Sequence, residues 1–319
     1  MCSDRIYTVV MFVFATFSAF AQKEDTTFIA AYAKPNSIEL SNAYNSTKLH
    51  FNTRRSRGNT ANFFSNNGLF SGVYLNYNWL ILGYGITVPF TSRDKNVKDF
   101  KSYRLRLRSY YYGWGVEGSI DSYKGLLSQS FRNRYIPVDG VRYITLGANV
   151  FHVFNYKKYS YNAAQYLSQQ QLKSSGSFLL HIHPAYYALG LQTSTSPVSD
   201  SVQKFLRGNP RWLTVTGSAG YGYNKVWDEG KWIVSPIVEA GLGGLYKFGY
   251  RRKLKPAALF NASLVAGYSG SKNYIYIIAE TYHNANFVGT SVFTDNRFRV
   301  TITAGYRLYG LRKKVLGLL

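Results

Sequence analysis

Arg104, Arg106 and Arg108 occupy every second position of one short segment, opposite Tyr103, Leu105 and Leu107. On an extended chain successive side chains alternate faces, so the three guanidinium groups form a ladder. Such a ladder can grip phosphate or carboxylate bidentately, or line an anion-selective passage. It can also be neutralised by carboxylates of neighbouring strands, for which Glu117, Asp121, Glu239 and Glu280 are the candidates. If the strand crosses a bilayer, the ladder must face inward, because a lipid-facing charge at mid-depth costs ~2–4 kcal/mol. Side chains largely fill barrels of modest diameter, so a packed internal salt network is the expectation. Arg299 and Arg307 fall on the inward face of the last strand and join the lumen-lining candidates.

His181 and His183 repeat the spacing with imidazoles. Two such groups can share a metal if an acid such as Glu280 or Glu239 supplies a third ligand. The H-x-H pattern alone is common, so ordinary lumenal or rim histidines are expected, with no metal and no cofactor. A hydrolase would need a serine, a histidine and an orienting acid, roles open to Ser177, His181 or His183, and Glu280. Ser177 and His181 lie four residues apart on one strand, about 13 Å by strand rise, too far for direct proton transfer. Neither G-x-S-x-G nor H-E-x-x-H occurs, and no catalytic residue is assigned. The glycine-rich runs at 217–222 and 241–244 have no helix after them and read as lumenal glycines of curved strands. Tyr110-Tyr111-Tyr112-Gly113-Trp114 reads as an interfacial girdle beside a turn.

These residues need strands to position them, and the chain supplies alternation throughout. Phe298, Val300, Ile302, Ala304, Tyr306 and Leu308 face one side; Arg299, Thr301, Thr303, Gly305, Arg307 and Tyr309 face the other. Leu80 to Val88 and Trp232 to Lys247 repeat the logic. Further candidate strands are 38–51, 69–77, 100–112, 114–124, 141–155, 159–169, 176–191, 211–225, 257–269 and 273–284. Short polar turns alternate with longer connections at 52–68, 91–99, 125–140, 193–210, 249–256 and 285–295. That makes thirteen strands, where a single-chain bacterial barrel has an even number. The alternation of long and short connections fails near 170–176, at Gln169-Gln170-Gln171, so one segment there or at 38–51 is miscounted. The expectation is twelve strands, with fourteen as the alternative.

Composition agrees. Aromatic residues reach 17%, with 29 Tyr and 28 Gly. No stretch after the N-terminus approaches a transmembrane helix. Arg5, the apolar run Ile6 to Phe20 and Ala19-Phe20-Ala21 form a secretory signal, so residues 1–21 are expected to be cleaved. The only cysteine, Cys2, lies inside it, leaving no disulfide or thiolate chemistry in the mature chain. The formal net charge is +23, and removal of the signal takes away one acid and one base. A surface this basic implies a polyanionic neighbour. For an exported chain that is lipopolysaccharide, faced by Arg54, Arg55, Arg57, Arg251, Arg252, Lys253 and Lys255 in long loops. Nucleic acid is not an expected partner.

The chain resembles an uncharacterised Bacteroidetes family, domain of unknown function 4421, over nearly all of its mature length. The resemblance rests on Tyr77-Asn78-Trp79-Leu80, Ser122-Tyr123-Lys124-Gly125, Tyr159-Ser160-Tyr161-Asn162-Ala163-Ala164 and Lys173-Ser174-Ser175-Gly176-Ser177-Phe178-Leu179-Leu180. It implies a membrane barrel and brings no catalytic residues. The sequence therefore predicts a signal at 1–21, a short segment at 22–36, one antiparallel transmembrane barrel at 37–310 and a tail at 311–319. Outer-membrane lipid, lipopolysaccharide and the barrel-insertion machinery are the expected partners, with an envelope protein partner left unnamed. The function expected is non-enzymatic, either a structural or docking barrel or a narrow anion pore. The alternative is a lipid A-modifying hydrolase.

Overall fold

A sheet whose strands carry one apolar and one polar face leaves no unpaired edge in a membrane only if it closes on itself. The computed structural model describes residues 24–33, 36–53, 60–66, 68–77, 80–88, 90–92, 94, 101–129, 135–191, 207–249, 254–288 and 291–308, and it is such a closed sheet. In chain order its elements are β1 (Ile29–Ala31), β2 (Ser37–Thr53), β3 (Thr60–Ser65), β4 (Leu69–Tyr77), β5 (Leu80–Thr87), β6 (Lys101–Tyr111), β7 (Trp114–Gln129) and β8 (Tyr135–Val153). There follow helix α1 (Tyr161–Tyr166), β9 (Gln169–Gln171), β10 (Ser175–Leu191), β11 (Arg211–Trp227), β12 (Trp232–Lys247), β13 (Lys255–Ser269), β14 (Asn273–Val288) and β15 (Ser291–Arg307). Twelve of these strands form the ring, each antiparallel to its neighbours, and β15 pairs with β2 to close it. The short β3 lies beside the far ends of β2 and β7, and β1 pairs only with β9.

The outer face carries Leu40, Leu82, Leu107, Leu180, Ile182, Val238, Ile275 and Ile302, all exposed. A continuous apolar band of this kind around a closed barrel is a lipid-facing surface. Trp114, Phe154, Phe178, Trp227 and Trp232 are exposed near the short-turn end, where an aromatic girdle belongs. The inward positions are polar at mid-height and apolar at both ends. Toward the long connections Phe51, Phe63, Tyr143, Tyr187, Trp212 and Phe293 form one buried layer. Phe51 and Trp212 each pack on Phe293, with ring centroids 4.8 and 5.0 Å apart.

The other end is closed by the segment after β8. Residues 159–169, expected as a strand, instead form α1 and the start of β9. Ser160 is the N-cap, its Oγ accepting from the Ala163 amide at 3.0 Å, and Leu167 ends the helix in the left-handed region. The tyrosines that imitate alternation there are buried on one compact turn: Tyr159, Tyr161 and Tyr166 pack with Phe151, Leu179 and Ile237. Gly222 of β11 admits this plug, since a Cβ there would sit 2.3 Å from the Tyr159 hydroxyl. Removing 159–169 from the thirteen candidates leaves the twelve strands of the ring. Three expected loops also contain strand: 52–68 holds β3, 125–140 is mostly the tall β7–β8 hairpin, bulged beside Gly125, and 285–295 is largely the β14–β15 hairpin.

Candidate functional site

Between the two apolar layers lies a polar chamber of about 260 Å³. Register decides what stands where in it. On β6 the arginine ladder faces inward, and pairing with β7 sets Arg104 opposite Asp121 and Arg108 opposite Glu117. Arg104 Nε donates to Asp121 Oδ1 at 2.5 Å, Arg106 reaches Asp121 Oδ2 at 3.4 Å, and Arg108 stands 3.7 Å from Glu117. Across the seam, Arg299 of β15 lies opposite Glu280 of β14 and forms an ion pair with it. Arg297, one pleat away, donates to Asp121 at 3.0 Å and Asp295 at 2.6 Å. Asp295 also accepts from the Tyr143 hydroxyl at 2.8 Å, tying the network to the outer aromatic layer.

Asp295, Arg297 and the buried Glu39 are site residues that the sequence patterns do not single out. Turn-like composition puts Asp295 in a loop and Arg297 just outside the last strand, although both continue the alternation of Arg299. Glu39 accepts from Asn76 at 2.6 Å and Tyr274 at 2.8 Å. The plug is held by the same wall. Tyr166 donates to Glu117, and the Arg108 guanidinium lies 4.1 Å from the Tyr166 ring centre. Burial pushes the Tyr166 hydroxyl well above its ordinary pKa, so it remains a neutral donor. Arg307 is wholly buried at the short-turn end rather than lining an open passage. It donates to the Leu167 carbonyl at 3.0 Å and sits between the rings of Tyr32 and Tyr274.

The opposite wall holds different chemistry. His181 and His183 of β10 point inward with near-parallel rings, 5.4 Å between centroids. Glu239 reaches them from β12, two strands away, with Oε2 3.7 Å from His181 Nε2 and 3.4 Å from His183 Nε2. Ser218 of the intervening β11 donates to Glu239 Oε2 and contacts His183 Nε2, both at 2.9 Å. Asn261 donates to Glu239 Oε1 at 2.7 Å, and Asn149 stands 3.1 Å from His181 Nδ1. Ser218, Asn149 and Asn261 have no motif to announce them. Only the neighbouring strands' register brings them here.

The hydrolase roles open to these residues by type do not assemble. Ser177 donates to the Phe178 carbonyl, and Glu280 is engaged by Arg299. The Ser218–His183 contact lies in mid-barrel beneath the Trp212 layer, with Glu239 on the serine's side instead of behind the imidazole. That arrangement does not orient a general base. Of the basic loop residues, Lys255 opens β13 and is half-buried; Arg54, Arg55, Arg57, Arg251, Arg252 and Lys253 lie outside the described residues, as do the signal at 1–21 and the tail at 311–319.

No curated protein matches the sequence. Among solved structures, the outer membrane protease OmpT from Escherichia coli is similar at 7% identity and a TM-score of 0.35, covering 88% of this chain and 100% of that one. The β domain of the Bordetella autotransporter Brka shows 10% identity and a TM-score of 0.37, covering 85% and 98%. The Pseudomonas putida toluene transporter TodX shows 8% identity and a TM-score of 0.30, covering 88% and 91%. No residue role carries across at this distance. The family model described as a domain of unknown function, DUF4421, matches residues 23–308, which is nearly the whole chain, and the protein belongs to that family.

Proposed function

We propose that this protein is a sealed, non-conducting barrel of the outer membrane, serving as a structural or partner-docking body. The observation that carries this reading is the layering of the lumen. A polar chamber is bracketed by the Phe51–Trp212–Phe293 layer on one side and the α1 plug on the other. An ion crossing either layer would shed its hydration against apolar side chains, at a cost far above thermal energy. The ladder that could have selected anions is engaged by Asp121 and Glu117.

The charge distribution supports the same reading. In the chamber, Arg104, Arg106, Arg108, Arg297 and Arg299 face Glu39, Glu117, Asp121, Glu239, Glu280 and Asp295, five basic residues against six acidic ones. The excess of +23 is therefore carried outside the chamber. There it suits the phosphates of lipopolysaccharide and favours a barrel anchored in an anionic leaflet. Export would follow from the signal at 1–21.

The test is planar-bilayer conductance of the folded protein, with folding verified by heat-modifiable gel mobility. A silent bilayer is expected. Reproducible anion-selective steps that shrink on replacing Arg104, Arg106 and Arg108 would overturn the sealed-barrel reading in favour of a pore.

A further inference from the structure

The geometry points to a divalent transition-metal site, of the kind that takes zinc, formed in the barrel lumen by His181, His183 and Glu239. The first support is spacing. His181, His183 and Glu239 each offer one ligand atom, and the three atoms lie within 4.8 Å of one another. Tetrahedral bonds of about 2.0–2.1 Å set ligand atoms about 3.3 Å apart, close to the 3.4 and 3.7 Å separating each imidazole from the carboxylate. Two imidazoles and one carboxylate form a donor set that suits zinc and leaves a fourth position open.

The second support is an atom with nothing to do. His181 is 2% exposed, and its Nε2 has no hydrogen-bond partner. Its Nδ1 stands 3.1 Å from Asn149 Oδ1, a hydrogen bond when the ring carries its proton on Nδ1. The Nε2 lone pair is then free and aimed at Glu239. Metal-binding histidines are oriented through their second nitrogen in this way. Glu239 is steadied likewise, Asn261 holding Oε1 while Oε2, which accepts from Ser218, faces the histidines.

Charge supplies the third support. Asp121, Glu117, Asp295 and Glu280 each pair with an arginine, and Glu39 is held by hydrogen bonds from Asn76, Tyr274 and Tyr276. Glu239 is 4% exposed, and its ion-pair partners among the described residues are the two histidines. A carboxylate buried without a firm counter-charge is costly, and a bound dication supplies one. Ser218 lies beside both His183 and Glu239, so its hydroxyl is placed either to give way to the ion or to bond the water in the fourth position. The site would tie β10 to β12 across β11. It stands independently of whether the barrel conducts.

The experiment uses the full chain without a polyhistidine tag, unfolded and stripped with chelator, then refolded in detergent in the presence of zinc and dialysed to remove free metal. Bound metal is counted by elemental analysis, and cobalt is substituted to read the visible absorption of a tetrahedral site. One zinc per barrel is expected. Affinity should fall at least tenfold in both His181→Gln and Glu239→Gln and stay unchanged in His152→Gln, which alters a histidine outside the chamber. Heat-modifiable mobility confirms that each variant is folded, and the near-isosteric Glu239→Gln keeps the test open if His181→Gln fails to fold. The proposal is overturned if folded wild-type protein retains no zinc, or if Glu239→Gln binds it as tightly as wild type.

Discussion

The two walls of the chamber solve the burial of charge in different ways. On the β6–β7 and β14–β15 side, Asp121 serves Arg104, Arg106 and Arg297 together, and Asp295, Glu117 and Glu280 pair with Arg297, Arg108 and Arg299. On the β10–β12 side, Glu239 faces imidazoles, which are neutral unless protonated, and one of them has a ring nitrogen without a hydrogen-bond partner. The first wall is neutralised by its own charges, although Arg108 Nε has no hydrogen-bond partner. The second pairs its carboxylate with imidazoles and a serine hydroxyl and has no arginine to neutralise it. A lumen rich in ion pairs can thus still hold a carboxylate without an arginine, and beside oriented imidazoles that carboxylate is placed to bind a cation.

Asp121→Ala attacks the complete wall at its hub and should have the largest effect. It leaves Arg104 and Arg106 without their ion-pair partner and Arg297 with Asp295 alone, and removing one partner of a buried pair costs about 3–5 kcal/mol. Urea unfolding of the barrel in lipid vesicles measures it, and a loss below about 1 kcal/mol would show that the network is not a stabilising core. Arg299→Ala breaks a single pair whose two side chains are partly open to the chamber, so a smaller loss of about 1–2 kcal/mol is expected in the same assay. Glu239→Gln should change stability least, within about 1 kcal/mol in the presence of chelator. It removes a charge that has no arginine partner, and the amide can keep contact with Asn261 and Ser218. If Glu239→Gln proved as damaging as Asp121→Ala, the distinction between the walls would collapse.

Much of this barrel is legible in the amino-acid sequence. Period-two alternation is a property of the extended backbone itself, so it identifies the outward apolar band and turns Arg104, Arg106, Arg108, His181 and His183 to one face each. The false strand at 159–169 has the same root. Tyr159, Tyr161 and Ala163 alternate along the chain, but Ser160 caps a helical turn and the barrel interior buries the tyrosines, so tertiary packing overrides the local pattern. Asp295 and Arg297 escape notice because the last strand begins earlier than the turn-like residues around them suggest.

The sequence by itself determined a closed barrel of alternating strands, its lipid-facing surface and the inward direction of its charges, because these follow from local geometry and from the intolerance of hydrocarbon for exposed polar groups. Tertiary structure alone decided the partners. Asp121 meets Arg104 through the β6–β7 register, and Glu239 meets His181 and His183 across an intervening strand. Register and closure are global properties set by every hairpin in the ring, so no single segment encodes which carboxylate serves an arginine and which is left for a metal.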